Sequence, residues 1–132
     1  MNIFVYGTLL SNLHNHDLLK NATFIHNTSI QAKMYNLGAF PAIQISNELS
    51  DIVHGELYKI NEKTLERLDQ LEGYQENRPN NLYNRITITT HSNIETFTYV
   101  AGNRINLLSH QQIQSGNWKE YLTIKTLSTL PK

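Results

Sequence analysis

Two places in this sequence combine residue types that can do chemistry. The first is Glu72, at the end of an amphipathic stretch. At about 100° per residue, Leu65, Leu68 and Leu71 form an inward stripe. Glu72 follows Leu68 by one helical turn and Leu65 by two, so it points along that stripe. A carboxylate there is costly unless it has partners or a task. Asp69 lies one turn after Leu65, close to the same face. Burial, the negative end of the helix dipole and repulsion from Asp69 would each raise the proton affinity of Glu72. A carboxyl group poised near neutrality both accepts and donates a proton. The second place is Tyr6-Gly7-Thr8-Leu9. Gly7 lets the backbone come close to a ligand, and Thr8 adds a hydroxyl and an N–H. Such a turn offers N–H groups to a carboxylate or a developing oxyanion. Taken singly, each feature has a plainer explanation: a glutamate fraying into solvent beside Gly73, and a glycine ending a strand.

The elements that must position these residues are readable in outline. Ile3-Phe4-Val5-Tyr6 is an apolar, β-branched and aromatic run that reads as a buried strand. Ser11 or Asn12 then caps a short helix through Leu13, Leu18 and Leu19. Residues 24–37 read as one or two strands, 42–45 as a short strand and 51–60 as another, in which Gly55 signals a bulge or a close backbone approach. Residues 61–71 form the clearest helix, with Asn61 as N-cap, Glu62 at the positive end of the dipole and Gly73 as the stop. Residues 83–90 and 94–100 alternate about Ser92-Asn93 and read as a β-hairpin. Residues 105–114 read as a helix, and the tail after Trp118 has no clear period. Strands outnumber helices and short turns join them. The pattern predicts an α+β fold, a small mixed-sheet barrel or curled sheet with a few short helices.

Composition narrows the classes. The 132 residues suit a single domain over 1–132. Eleven Lys and Arg balance eleven Asp and Glu, without the basic excess of a nucleic-acid binder. No apolar run approaches the roughly 20 residues of a membrane helix. Cysteine is absent, which rules out disulfides, thiolate nucleophiles and Cys-based zinc sites. With no signal peptide evident after Met1, a cytoplasmic location is expected. The pair His14-x-His16 lacks a third ligand nearby and reads as surface, so no metal is expected. Arg85 reads as a structural ion-pair partner and Trp118 as a packing anchor. Glu56 reads either as a support for the site or as a solvated strand position.

Taken together and in order, the motifs resemble the γ-glutamylcyclotransferase-like family. Phe4-Val5-Tyr6-Gly7-Thr8-Leu9 is similar to its opening motif. Tyr35-Asn36-Leu37-Gly38-Ala39-Phe40-Pro41-Ala42 resembles its aromatic-x-Leu-Gly-x-x-Pro-Ala segment, and Val53-His54-Gly55-Glu56-Leu57-Tyr58 its Val-x-Gly-Glu-Leu-Tyr strand. Leu68-Asp69-Gln70-Leu71-Glu72-Gly73 resembles the helix end that carries the family's catalytic glutamate. Tyr83-Asn84-Arg85 and residues 113–118 complete the series.

The resemblance implies a small mixed α/β barrel and an intramolecular aminolysis without metal or organic cofactor. The α-amino group of a γ-glutamyl unit attacks its own γ-carbonyl, releasing 5-oxoproline and an amine or amino acid. It implies Glu72 as acid and base, and Gly7, Thr8 and Leu9 as the backbone holding the glutamyl end. Tyr6 is expected to line the pocket and Tyr99 to hydrogen-bond within it. The expected partner is a small γ-glutamyl compound, not nucleic acid or membrane. Three departures bear on substrate choice: Asn117 stands where Asp is usual, Ala101 where a second Tyr often follows, and the link from Gly73 to Tyr83 is long. A competing reading is a non-catalytic module that binds a small metabolite on the same fold.

Overall fold

The computed structural model describes residues 1–128; residues 129–132 lie outside it. Seven strands form a mixed, curled sheet, a half-barrel accompanied by two α-helices: β1 (Asn2–Val5), β2 (Thr23–Asn36), β3 (Pro41–Ile45), β4 (Ile52–Lys59), α1 (Glu62–Glu72), β5 (Tyr83–Thr89), β6 (Glu95–Ala101), β7 (Gln111–Ile113) and α2 (Trp118–Ser128). The α+β expectation stands. The order across the sheet is β3-β2-β4-β1-β6-β5, with β7 also paired to β2. All pairs are antiparallel except β1 with β6.

β1 is short but central. Ile3, Phe4 and Val5 are all buried, as a strand covered on both faces requires. Of the one or two strands expected over residues 24–37, a single one, β2, forms. Its first part, Thr23 to Gln31, pairs with β4, and its second, Ala32 to Asn36, pairs with β3. A register shift between Phe24 and His26 bends its start. Gly55 marks a close approach, not a bulge. A Cβ there would fall 2.2 Å from the Val5 carbonyl oxygen and 2.6 Å from the Phe4 ring. The β5–β6 hairpin forms as expected, with Thr89 opposite Glu95.

Helix α1 also forms as read. The Asn61 side chain accepts the Thr64 N–H at 2.9 Å, and Gly73 closes the helix in the left-handed region with φ 65°. Leu65 and Leu68 are buried, but Leu71 is 39% exposed. The wheel explains this: Leu71 falls ~90° away from the mean direction of Leu65 and Leu68, whereas Glu72 falls almost on it.

Three expectations fail. Residues 11–21 do not make a capped helix. Asn12 sits at φ 67°, and only a 3-10 turn forms, His16–Leu19. Residues 105–114 do not make a helix either. They give a 3-10 turn, Leu107–Ser109, and then β7, which adds to β2 opposite Met34 to Asn36. The stretch after Trp118, read as having no period, is helix α2. Asn117 caps it by accepting the Glu120 N–H at 3.1 Å. Trp118 is buried and stacks on Tyr121 at 5.3 Å between ring centres.

Candidate active site

A cavity of about 390 Å³ opens where the C-terminal end of β1 meets the end of α1. This is an ordinary size for a small-molecule site. Tyr6, Gly7, Thr8 and Leu9 line one side, and Glu72 and Tyr99 line another. The residues singled out from the sequence therefore meet in one place. They come from three elements: the turn after β1, the last residue of α1, and β6.

Glu72 is half-buried, and no donor among the described residues bonds its carboxylate. Protein packed around it on the cavity wall removes most of its hydration. That burial pushes its carboxyl from the ordinary 4.5 up to about 7. Asp69 is not among the causes of the rise. Asp69 does not act as a repelling neighbour, because its charge is already answered. One oxygen pairs with the Arg85 guanidinium, and the other accepts the Tyr99 hydroxyl at 2.6 Å. Arg85 in turn lies over the Tyr74 and Phe97 rings, at 5.0 and 4.9 Å from their centres. The reading of Arg85 as an ion-pair partner stands.

Three phenols surround the carboxylate: Tyr6, Tyr83 and Tyr99. Each already donates its proton. Tyr6 donates to the Tyr99 carbonyl at 2.7 Å, Tyr83 to the Pro41 carbonyl at 2.7 Å, and Tyr99 to Asp69. The Tyr99 bond thus runs to α1, while its hydroxyl oxygen keeps lone pairs free to accept. Burial first holds all three phenols above their ordinary range and so neutral; after it come Tyr83 and Glu72 for Tyr6, Glu72 for Tyr83, and Asp69 ahead of Glu72 for Tyr99.

The turn after β1 presents donors. Leu10 N–H bonds back to the Gly7 carbonyl at 3.0 Å, and Asn15 N–H to the Thr8 carbonyl at 3.1 Å. Among the described residues, no protein acceptor takes the N–H groups of Thr8 or Leu9. Gly7 lines the cavity, and a Cβ on it would fall 2.9 Å from the Pro41 ring, so its missing side chain lets Pro41 pack close against the turn.

Sequence reasoning missed part of the wall. Tyr83, Phe40 and Pro41 line the cavity, and so do Leu71, Leu82 and His14 at its margin. The motifs around Phe40-Pro41 and Tyr83 carried the signal, but no cavity role followed from them. His14 belongs to this margin, whereas His16 turns away and bonds the Leu9 carbonyl through Nδ1 at 2.8 Å. Glu56 is not a solvated strand residue: it is 7% exposed and fully hydrogen-bonded.

The long link after Gly73 is a compact loop built on buried Asn81. Its side chain accepts from the Gln75 N–H and Arg78 Nε and donates to the Gln75 and Arg78 carbonyls. Among the described residues, Glu72 is the one carboxylate on the cavity wall, and neither Lys nor Arg lines that wall.

This fold and site define a class. A family model described as gamma-glutamyl cyclotransferase, AIG2-like, matches residues 3–120. The chain is 35% identical over 126 residues to a gamma-L-glutamyl-butirosin B gamma-glutamyl cyclotransferase from Niallia circulans, covering 91% of this chain and 76% of that one. It is 33% identical over 126 residues to a putative gamma-glutamylcyclotransferase from Methanocaldococcus jannaschii, covering 90% and 96%. Among solved structures it resembles protein ytfP from Escherichia coli, with TM-score 0.68 and 30% identity over 92% of this chain and 98% of that one. An uncharacterized protein from Pyrococcus horikoshii shares the fold, with TM-score 0.75 and 21% identity over 98% and 99%. This chain belongs to the gamma-glutamyl cyclotransferase, AIG2-like family of enzymes.

Proposed function

We propose that the protein, working as one domain in the cytoplasm, cyclises a γ-glutamyl amine to 5-oxoproline and free amine. One observation carries this reading: a half-buried carboxylate raised to a pKa of about 7, with no donor among the described residues, shares a small cavity with Thr8 and Leu9, whose backbone N–H groups have no protein acceptor among those residues. The substrate's α-amino nitrogen attacks its γ-carbonyl carbon, and the C–N bond to the amine breaks. Both reacting groups belong to one molecule, so the enzyme mainly has to hold the ring-closing conformer. Glu72 takes the proton from the attacking nitrogen and delivers it to the leaving nitrogen. The N–H groups of Thr8 and Leu9 stabilise charge on the carbonyl oxygen. The Glu72 carboxylate and the lone pairs of the surrounding phenols suit the substrate's ammonium group, which first gives one proton through Glu72 so that the free amine attacks; that proton and the one lost on ring closure both end on the leaving amine.

The wall also bears on the leaving group. Among the described residues no Lys or Arg lines this wall, so a carboxylate on the departing side would meet Glu72 and the apolar Phe40, Leu71 and Leu82, with His14 and Asn15 as the polar neighbours. A neutral or cationic amine fits better than an amino acid. The relative named for γ-glutamyl butirosin B shares with this reading only the γ-glutamyl unit.

The test is a mass-spectrometric assay for 5-oxoproline with paired γ-glutamyl alkylamines and γ-glutamyl amino acids. Wild type is expected to release 5-oxoproline, faster from the alkylamines, and Glu72→Gln to release none while folding normally. Normal turnover by folded Glu72→Gln protein would sink the mechanism. Binding without product, indifferent to loss of the carboxylate, would instead favour a metabolite-binding module.

A further inference from the structure

Glu56 lies on β4 directly across from Val5, the last residue of β1, and away from the cavity that holds Glu72. A buried carboxylate needs partners, and this one has four bonds. Oε1 accepts the Ser11 N–H at 2.8 Å and the Tyr58 hydroxyl at 2.9 Å. Oε2 accepts the Ser11 hydroxyl at 2.8 Å and the Lys119 ammonium at 3.2 Å. Lys119 also donates to Ser11 Oγ at 2.7 Å, so the three side chains close a ring. Burial alone would raise the Glu56 carboxyl, but bonds from Ser11, Tyr58 and Lys119 outweigh it and hold the group below its ordinary range, ionised.

Ser11 is the far end of the turn whose near end carries the free N–H groups. Leu10 N–H closes on Gly7, and Asn15 spans back to Thr8 through its backbone and through Nδ2 to Thr8 Oγ1 at 2.9 Å. These bonds are internal to the loop and cannot by themselves set its position on the sheet. Burial of Leu9 and Leu10 pins it from one side. The grip of Glu56 on both the backbone and the side chain of Ser11 pins it from the other. The start of α2 joins the same clamp. Its Lys119 reaches Glu56, and the preceding Gly116 carbonyl accepts the His54 N–H of β4 at 2.8 Å.

We propose that Glu56 is a positioning residue: it clamps the Thr8–Leu9 turn through Ser11 and ties the placement of those N–H donors to helix α2 through Lys119. This rests on the cyclotransferase reading for its catalytic consequence, but not for its structural one. Donors must sit within a few tenths of an ångström of a developing oxyanion to be effective.

The experiment measures two things on Glu56→Gln, and on Ser11→Ala as the milder variant. The first is amide hydrogen exchange at Leu10 and Asn15, with amides of the β5–β6 hairpin as the global reference. The second is kcat and KM for 5-oxoproline release. Exchange at Leu10 and Asn15 is expected to speed up by about tenfold or more over the hairpin reference, as local opening would produce. With misplaced donors, kcat falls roughly 10- to 100-fold, KM changes little, and the acid limb of the pH profile stays near 7 because Glu72 is untouched. Equal exchange in wild type and both variants overturns the clamp, whatever the activity. Faster local exchange with unchanged kcat overturns the positioning role. If wild type makes no 5-oxoproline at all, the cyclotransferase reading fails, and the exchange result still decides the clamp.

Discussion

A carboxyl group with a pKa near 7 in the folded protein and 4.5 otherwise binds its proton more tightly when folded. Its effect on stability therefore runs opposite to that of a salt-bridged carboxylate. The group costs nothing below about pH 4, the cost grows as pH rises toward 7, and it levels off above, at up to about 3 kcal/mol. Glu72→Gln should remove that cost. Urea unfolding at pH 8 should find the variant more stable than wild type by up to about 3 kcal/mol, with the gap closing toward pH 4. A gap independent of pH would contradict the burial of Glu72. On the proposed mechanism the same group governs activity: kcat/KM should rise with pH through a midpoint near 7, where the base form appears, and Glu72→Gln should lose that limb. Asp69 has a different role, holding Arg85 and the Tyr99 hydroxyl in place. Asp69→Asn leaves a half-buried guanidinium without its partner and should cost on the order of 3 kcal/mol in urea unfolding. A loss below about 0.5 kcal/mol would mean the pair behaves like an exposed one.

Helix α2 gives a structural task to the residue that departs from the family pattern. Asn117 replaces the usual aspartate, yet it performs the task that position has here, capping α2 through the Glu120 N–H. Asp and Asn are comparable N-caps, and Asp adds a favourable charge at the helix start. Asn117→Asp is thus expected to leave turnover unchanged and to raise stability by roughly 0.3–1 kcal/mol at low salt. A large gain in kcat would show instead that the missing carboxylate was chemical. Helix α1 illustrates the opposite case, in which the cap and the stripe together aim a single side chain. Asn61 fixes where the helix starts, Leu65 and Leu68 fix its rotation, and the remaining length brings Glu72 to the cavity.

At the scale of the whole molecule, the turn after β1 and the start of β3 meet at the cavity wall without a side chain between them. Gly7 packs against the Pro41 ring, and Pro41 in turn accepts the Tyr83 hydroxyl. Gly7→Ala forces a Cβ into that contact. The change should lower the melting temperature by several degrees, in line with about 1–3 kcal/mol of overpacking strain, and should raise KM by shifting Pro41 and Phe40. A thermal melt matching wild type would show that the proline ring moves aside freely.

By itself the sequence determined the parts whose signals are local. The stripe and caps of α1, the alternation of the β5–β6 hairpin and the apolar run of β1 each act over a few residues, so their patterns were readable. The spacing of Glu72 from Leu65 and Leu68 carried its direction with them. Only the tertiary structure decided the rest, because those choices depend on partners distant in the chain. Residues 111–113 become a strand because the edge of β2 at Met34 to Asn36 needs one. Glu56 is buried because Ser11 and Lys119, from far along the chain on either side, converge on it. Asp69 does not repel Glu72 because Arg85 and Tyr99, supplied by the hairpin, take up its charge first.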